Sequence, residues 1–293
     1  MDNVVVIGGS GFLGSHVADE LSVRGYKVTV FDQKPSLWIR NDQTFVEGDI
    51  LDRAALTAVI DGARFVYHFG GVADIKESLT DPYRTLEVNI LGTANALEAL
   101  KGSSVERFLY ASTMYVYSDA GSFYRASKQS AEAIIEAYCE AKELGYTFLR
   151  YGSLYGPRAQ EWNGLRSYVR QVIEKGQLDY PGSGDERREY IHVKDAARLS
   201  ADVLDPRHRN QAITVTGAQV LNSKDLAEMI FEIAGKTPSV SFSDNPRRQE
   251  HYRITPYRYS PSQARKLVPS EFVDLGQGIL ELCQEFSLES DPD

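Results

Sequence analysis

Residues 4–17 read VVVIGGSGFLGSHV, and how this stretch is read decides the fold. Four apolar, mostly β-branched residues give the pattern of a short buried strand. Gly8, Gly11 and Gly14 follow, each three residues from the last, and Leu13, Val17 and Leu21 recur at four-residue spacing up to Gly25, a stop signal. A strand running through spaced glycines into a helix is the arrangement that holds a pyrophosphate. Gly8 permits the tight turn, Gly11 lets the backbone approach the anion, and Gly14 lets the helix pack close to the sheet. The helix start at Phe12 and Leu13 supplies N–H groups and a partial positive charge.

The next strand-like run, YKVTVFD, ends in Asp32, 18 residues past Gly14. A carboxylate there accepts hydrogen bonds from the adenosine ribose hydroxyls and repels a 2′-phosphate, so NAD is expected rather than NADP. After a third run, EGDI places Asp49 and Ile50 where they would flank the adenine ring.

Strand-like runs continue in ARFVYHFGG, ERFLYAST and YTFLRYGS, separated by helical patterns over 52–60, 82–101 and 128–144. Near-continuous apolar strands alternating with helices mean a parallel sheet covered on both faces. The expected fold is α/β: a Rossmann-type doubly wound parallel sheet with a smaller mixed α/β C-terminal substrate domain. The NAD-binding part is placed at residues 1–155, with core elements swapping back in around 188–217. Residues 156–286 are expected to form mainly the substrate-binding part, and 287–293 a frayed tail. Within the second part, LRSYVRQVIEKG and NSKDLAEMIFEIAG read as helices closed by Gly176 and Gly235, REYIHV and AITVTG as strands, and 243–261 as a polar, basic loop.

The 293 residues carry a net charge of -9, which argues against a nucleic-acid or anionic-membrane partner. Cys139 and Cys283 are the two cysteines and form no CxxC, so neither a disulfide framework nor a zinc site is expected. No His, Asp and Glu pattern suggests a metal. The opening MDNVVVIGGS lacks the pattern of a secretory signal, and a cytoplasmic location is expected.

One further stretch, GSFYRASKQSAE at 121–132, sets Tyr124 and Lys128 four residues apart. On a helix they share a face. Alone, such a pair is more often an ordinary helix start than a proton-transfer device.

Together these segments resemble the extended short-chain dehydrogenase/reductases, in particular the NAD-dependent epimerase/dehydratase group acting on nucleotide sugars. The resemblance runs from Val4 to about Phe286. It is carried by GGSGFLG (with Ile7 where Thr is usual), VYHFGG at 66–71, VNILGT at 88–93, YASTMYVYS at 110–118, YRASK, LRYGSLYGPR at 149–158 and RREYIHVKD at 187–195. The family implies NAD in the first part, lined also by Phe69, Gly70, Gly71, Asn89 and Tyr151, and a nucleoside-diphosphate sugar between the two parts. It implies a homodimer through the helices at 82–101 and 124–144, with Ala94, Ala96, Ala131 and Ala133 small enough for close approach.

By the same resemblance Thr113 is the hydroxyl that hydrogen-bonds the sugar oxygen, Tyr124 the acid/base, and Lys128 the charge that favours the phenolate and holds the nicotinamide ribose. A free phenol has a pKa of about 10, so this requires a downward shift. Arg188 matches a family arginine on the substrate diphosphate, the alternative being a structural ion pair. Arg247, Arg248 and Arg253 lie where a second such arginine is expected. His68, His192 and Tyr117 read as structural. Tyr115 either faces the substrate or packs.

Three departures narrow the activity. Met114-Tyr115 follow Thr113 where related dehydratases carry Asp-Glu, and related decarboxylases carry a Glu at the position of Tyr115. Only ten residues separate Thr113 from Tyr124, against a stretch about twice as long in the family. Ser153 replaces an Asn that helps hold the substrate. The expected function is epimerisation of a nucleoside-diphosphate sugar through a transient keto-sugar, with NAD retained. The alternatives are a reductase or dehydrogenase of a keto-sugar or other carbonyl using dissociable NADH, then a sugar-nucleotide dehydratase or a non-catalytic NAD-binding protein.

Overall fold

Alternate residues of the first strand-like runs face opposite ways, and in the computed structural model of the protein both directions are buried. The structure describes residues 2–243 and 251–256. Arg247, Arg248, Cys283 and the 287–293 tail lie outside the described residues.

The strands are β1 (Asn3–Ile7), β2 (Lys27–Asp32), β3 (Gln43–Glu47), β4 (Phe65–His68), β5 (Arg107–Thr113), β6 (Gly145–Tyr151), β7 (Ser153–Tyr155), β8 (Leu178–Tyr180), β9 (Arg187–His192), β10 (Gln211–Val215), β11 (Val220–Asn222) and β12 (Val240–Phe242). The helices are α1 (Phe12–Val23), α2 (Arg53–Ile60), α3 (Ile75–Thr80), α4 (Pro82–Leu86), α5 (Gly92–Ala99), α6 (Ser122–Lys142), α7 (Gly164–Lys175), α8 (Val193–Asp202) and α9 (Ser223–Ile233).

Seven strands form one sheet in the order β10-β6-β5-β4-β1-β2-β3, every pair parallel. Val5, Ile7, Phe31, Val66, Phe108, Tyr110 and Phe148 pack on one face with α2, α5 and α6. Val4, Val6, Val28, Val30, Tyr67, Leu109 and Leu149 pack on the other with α1 and α8. This two-faced burial is why these strands read as continuous apolar runs. Strand order reverses between β1 and β4, so a crevice opens beyond their carboxyl ends. β10 comes late in the chain yet pairs with the last five residues of β6, Gln211 beside Thr147 to Val215 beside Tyr151.

Two small sheets complete the described part: β11-β9-β7, and β12 beside β8. Segment 251–255 adds to β9. Arg187 N donates to the Arg253 carbonyl at 2.7 Å and Thr255 N to the Arg187 carbonyl at 3.2 Å. No described helix is long and apolar enough to cross a membrane.

Two helices differ from expectation. The run over 82–101 is not one regular helix: α4 and α5 are joined by a π-turn at Glu87–Leu91, with Asn89 at its centre. α6 begins six residues earlier than the pattern over 128–144 suggests, so Tyr124 lies in its first turn. Gly121 just before it has φ 94°, and a Cβ there would stand 2.7 Å from the Tyr115 ring, so the chain can turn into α6 only with glycine at this point. Of the four alanines expected at a dimer face, Ala96 and Ala131 are fully buried within the chain's own core.

Candidate active site

The carboxyl ends of β1, β2, β4, β5 and β6 open into a cavity of about 1070 Å³. One side is lined by Gly8, Gly11, Phe12, Leu13, Gly14, Asp32, Ile50, Phe69, Gly70 and Gly71. The other is lined by Tyr115, Ser153, Tyr168, Tyr180, Arg188, His251 and Tyr252. Tyr124, Lys128 and Tyr151 also border it.

The glycine turn has the shape an anion needs. Gly8 has φ 77°, and a Cβ there would lie 2.4 Å from Gly70 N, so the β1 and β4 ends approach each other closely. A Cβ on Gly11 would meet only the Gly8 carbonyl, at 3.4 Å, which leaves its outer side open. The first intrahelical bond of α1 is Ser15 N to the Gly11 carbonyl at 3.0 Å, so the N–H groups of Phe12, Leu13 and Gly14 have no acceptor within the helix. At the end of β2 the Asp32 carboxylate accepts from Ser10 N at 3.0 Å and Gln33 N at 2.8 Å. It is anchored with lone pairs to spare for ribose hydroxyls. Open glycine backbone, a helix start and an anchored carboxylate together fit a dinucleotide.

Three expected site residues stand behind the cavity rather than on it. Asp49 accepts from Gln33 Nε2 at 3.0 Å and Leu51 N at 2.8 Å, which ties down the β3 exit. Asn89 is 1% exposed. Its amide accepts from Val72 N at 2.8 Å and donates to the Val72 carbonyl and Ser127 Oγ, clamping the loop after Gly71 against α6. Thr113, at the end of β5, is buried, and its hydroxyl accepts from Tyr115 N at 3.2 Å. Tyr151 is held by Ser200 at 2.6 Å.

Burial governs the ionisation of the Tyr124 and Lys128 pair. It pushes the Tyr124 phenol up to about 12, against the opposing hydrogen bond from Thr113. The same desolvation pulls the Lys128 ammonium down to about 8, opposed by the charge of Glu132. The expected lowering of the phenol is therefore reversed in the protein alone. Apolar and aromatic walls disfavour both charged forms, and a phenolate at pH 7 costs roughly 7 kcal/mol. Lys128 Nζ donates to the Ala111 carbonyl at 2.8 Å and lies 4.7 Å from the Tyr110 ring centre.

Tyr115 both packs and borders the cavity. Its ring meets Tyr124 edge-on at 5.9 Å and Tyr252 at 4.6 Å, and its hydroxyl contacts His251. Tyr252 lies 5.5 Å beneath the Arg188 guanidinium, whose Nε is buried with no hydrogen-bond partner among the described residues. Arg188 lines the cavity, no ion pair to it is formed among the described residues, and Arg253 lines the same wall. His251 and Tyr252 line the cavity, which the loop-like stretch SDNPRRQEHYRITPYRYSP conceals; its run of aromatics beside arginines is the signal in the sequence. His68, buried with Nε2 3.0 Å from Thr93 Oγ1, and His192, which caps α8 through Lys194 N, lie off the cavity.

The model of the NAD dependent epimerase/dehydratase family matches residues 4–215. The UDP-glucose 4-epimerase of Erwinia amylovora is 30% identical, over 84% of this chain and 86% of that protein. A UDP-N-acetyl-alpha-D-glucosaminuronate decarboxylase of Bacillus cytotoxicus is 26% identical, over 80% of this chain and 81% of its own. Among solved structures, a Thermus thermophilus UDP-glucose 4-epimerase in complex with NAD superposes with a TM-score of 0.76 at 27% identity, covering 88% of this chain and 90% of that one. The chain belongs to the NAD dependent epimerase/dehydratase family.

Proposed function

We propose that the protein is an NAD-dependent epimerase of a nucleoside-diphosphate sugar. The observation that carries this is the setting of Tyr124: a half-buried phenol in the first turn of α6, four residues before Lys128, with the Tyr115 ring packed against it where an acid would be needed for water loss or decarboxylation. Relatives of similar identity include both UDP-sugar epimerases and a decarboxylase, and the epimerase reading rests on this local chemistry.

The backbone of Gly11 to Gly14 would hold the NAD pyrophosphate, Asp32 the adenosine ribose, and Lys128 the nicotinamide ribose. Bound there, the nicotinamide supplies the acceptor and donor of a hydride. Tyr124 takes the proton of the sugar hydroxyl as the hydride leaves, and Thr113 steadies the phenolate. The positive charges of Lys128 and of the oxidised ring offset the cost that burial places on that phenolate. In the return direction the neutral phenol, which the pocket strongly favours, gives the proton back. Arg188 would take the diphosphate, a planar donor suited to paired oxygens. A ketone able to turn in the wide cavity between the two steps would be reduced from the opposite face.

The test is a panel of UDP-hexoses and UDP-hexuronic acids assayed by NMR with NADH followed by absorbance. Inversion at one ring carbon without net NADH change supports epimerisation. Stoichiometric consumption or formation of NADH supports the reductase or dehydrogenase instead.

A further inference from the structure

Three polar side chains follow one another along one face of α6 at four-residue steps: Tyr124, Lys128 and Glu132. The first two border the cavity, whereas Glu132 is buried behind them. Its carboxylate is fully engaged. Oε1 accepts from Ser112 Oγ at 2.5 Å and from Arg150 Nε at 2.9 Å, and Oε2 accepts from Arg150 Nη2 at 2.5 Å. Arg150 Nη1 donates to the Tyr117 hydroxyl, and the guanidinium lies 4.7 Å from the Tyr117 ring centre. One bidentate pair thus joins α6, the ends of β5 and β6, and the turn at Met114–Tyr117. Ser112 immediately precedes Thr113.

A buried ion pair gains little over apolar packing of the same volume, so stability alone is a weak reason for one here. We propose that Glu132 and Arg150 are positioning residues for the Tyr124–Lys128 pair: their bidentate contact locks α6 onto the Thr113 end of β5 and sets the Glu132 carboxylate one helical turn from Lys128. The inference rests on the proton-transfer reading of Tyr124 and Lys128 above.

The surroundings of Lys128 single out Glu132 as the supporting charge. Lys128 is 5% exposed and its hydrogen bond goes to a neutral carbonyl. His68 on β4, Tyr110 on β5 and Tyr124 on α6 are held neutral by burial. Arg150 on β6 is cationic and faces Glu132. From α3 and α4, Lys76, Glu77 and Arg84 line the cavity, and Arg84 is paired with Glu87 at 2.6 Å. Of these, Glu132 is the anion whose charge raises Lys128. Removing it also leaves the Arg150 charge unopposed in the same wall, and both changes act against the ammonium.

The test titrates Lys128 in the full chain without added cofactor, by NMR of [13Cε]lysine-labelled protein, the resonance assigned by its loss in Lys128→Arg. Glu132→Gln is expected to lower the titration midpoint of Lys128 by about one pH unit, a tenfold change. The double variant Glu132→Gln/Arg150→Met is expected to recover only the part of that shift that the unopposed Arg150 charge adds, which mere loss of packing would not do. Glu132→Asp keeps the charge but shortens the reach. Its Lys128 midpoint is expected to stay near wild type while kcat falls about tenfold with KM unmoved. An unchanged midpoint in Glu132→Gln overturns the electrostatic role, and unchanged kcat in Glu132→Asp overturns the positioning role. The NMR arm needs no turnover, so it reads out even if the substrate assignment fails.

Discussion

The Tyr115 hydroxyl and His251 Nδ1 lie 2.5 Å apart, joining the turn after β5 to a segment 136 residues further along the chain. That single bond, with the Tyr115–Tyr252 ring contact, sets the wall of the cavity next to Tyr124. Because Tyr115 positions the wall and moves no proton, Tyr115→Phe should raise KM about fivefold, the worth of one hydrogen bond, and leave kcat within twofold. Steady-state kinetics on the true substrate checks the split; an equal loss in kcat would make Tyr115 part of the chemistry.

Tyr124→Phe removes the proton carrier while leaving the ring that packs against Tyr115. kcat should fall about 10³-fold, with NAD binding by calorimetry unchanged. Near-wild-type turnover would assign the acid/base elsewhere.

Asp32→Asn keeps an acceptor for Ser10 N but removes the charge. NAD affinity should weaken about tenfold and the preference over NADP should shrink, since a charged acceptor is worth about 1.5–3 kcal/mol and a 2′-phosphate is no longer repelled. Calorimetric titration with each dinucleotide gives both numbers.

His68 is 1% exposed, and burial lowers its pKa from 6.5 to about 3. The unfolded chain therefore takes up this proton first as the solution is acidified. The stability is whole above about pH 6.5 and is lost progressively as pH falls toward 3. At about pH 4.5 the loss amounts to roughly 2–3 kcal/mol. Urea unfolding at about pH 7 and pH 4.5 should show that part of the decline missing in His68→Asn.

Much of this is visible along the chain, and what is hidden has a physical pattern. β1, β2, β4, β5 and β6 are buried on both faces, so their apolar runs announce them. α1, α7 and α9 end at Gly25, Gly176 and Gly235, where the punctuation is local. The three-residue strands β7, β8, β11 and β12 carry no periodicity and exist only because a distant partner pairs with them. The π-turn at Asn89 likewise reflects a contact with Val72 and Ser127 rather than a local preference. The Tyr124 ionisation follows the same rule. Four-residue spacing places Lys128 beside it and suggests a lowered pKa, whereas the aromatic wall brought in by Tyr115 and Tyr252 sets the actual direction. His251 and Tyr252 become site residues only through the pairing of 253–255 with Arg187.

In the proposed reaction a hydride leaves a ring carbon and returns to it. A substrate carrying deuterium at the carbon that inverts tests this most directly, with the product analysed by NMR and mass spectrometry. Retention of the deuterium at that same carbon, with inverted configuration, is the predicted result. Loss of the label to solvent, or its recovery in released NADH, would contradict the account.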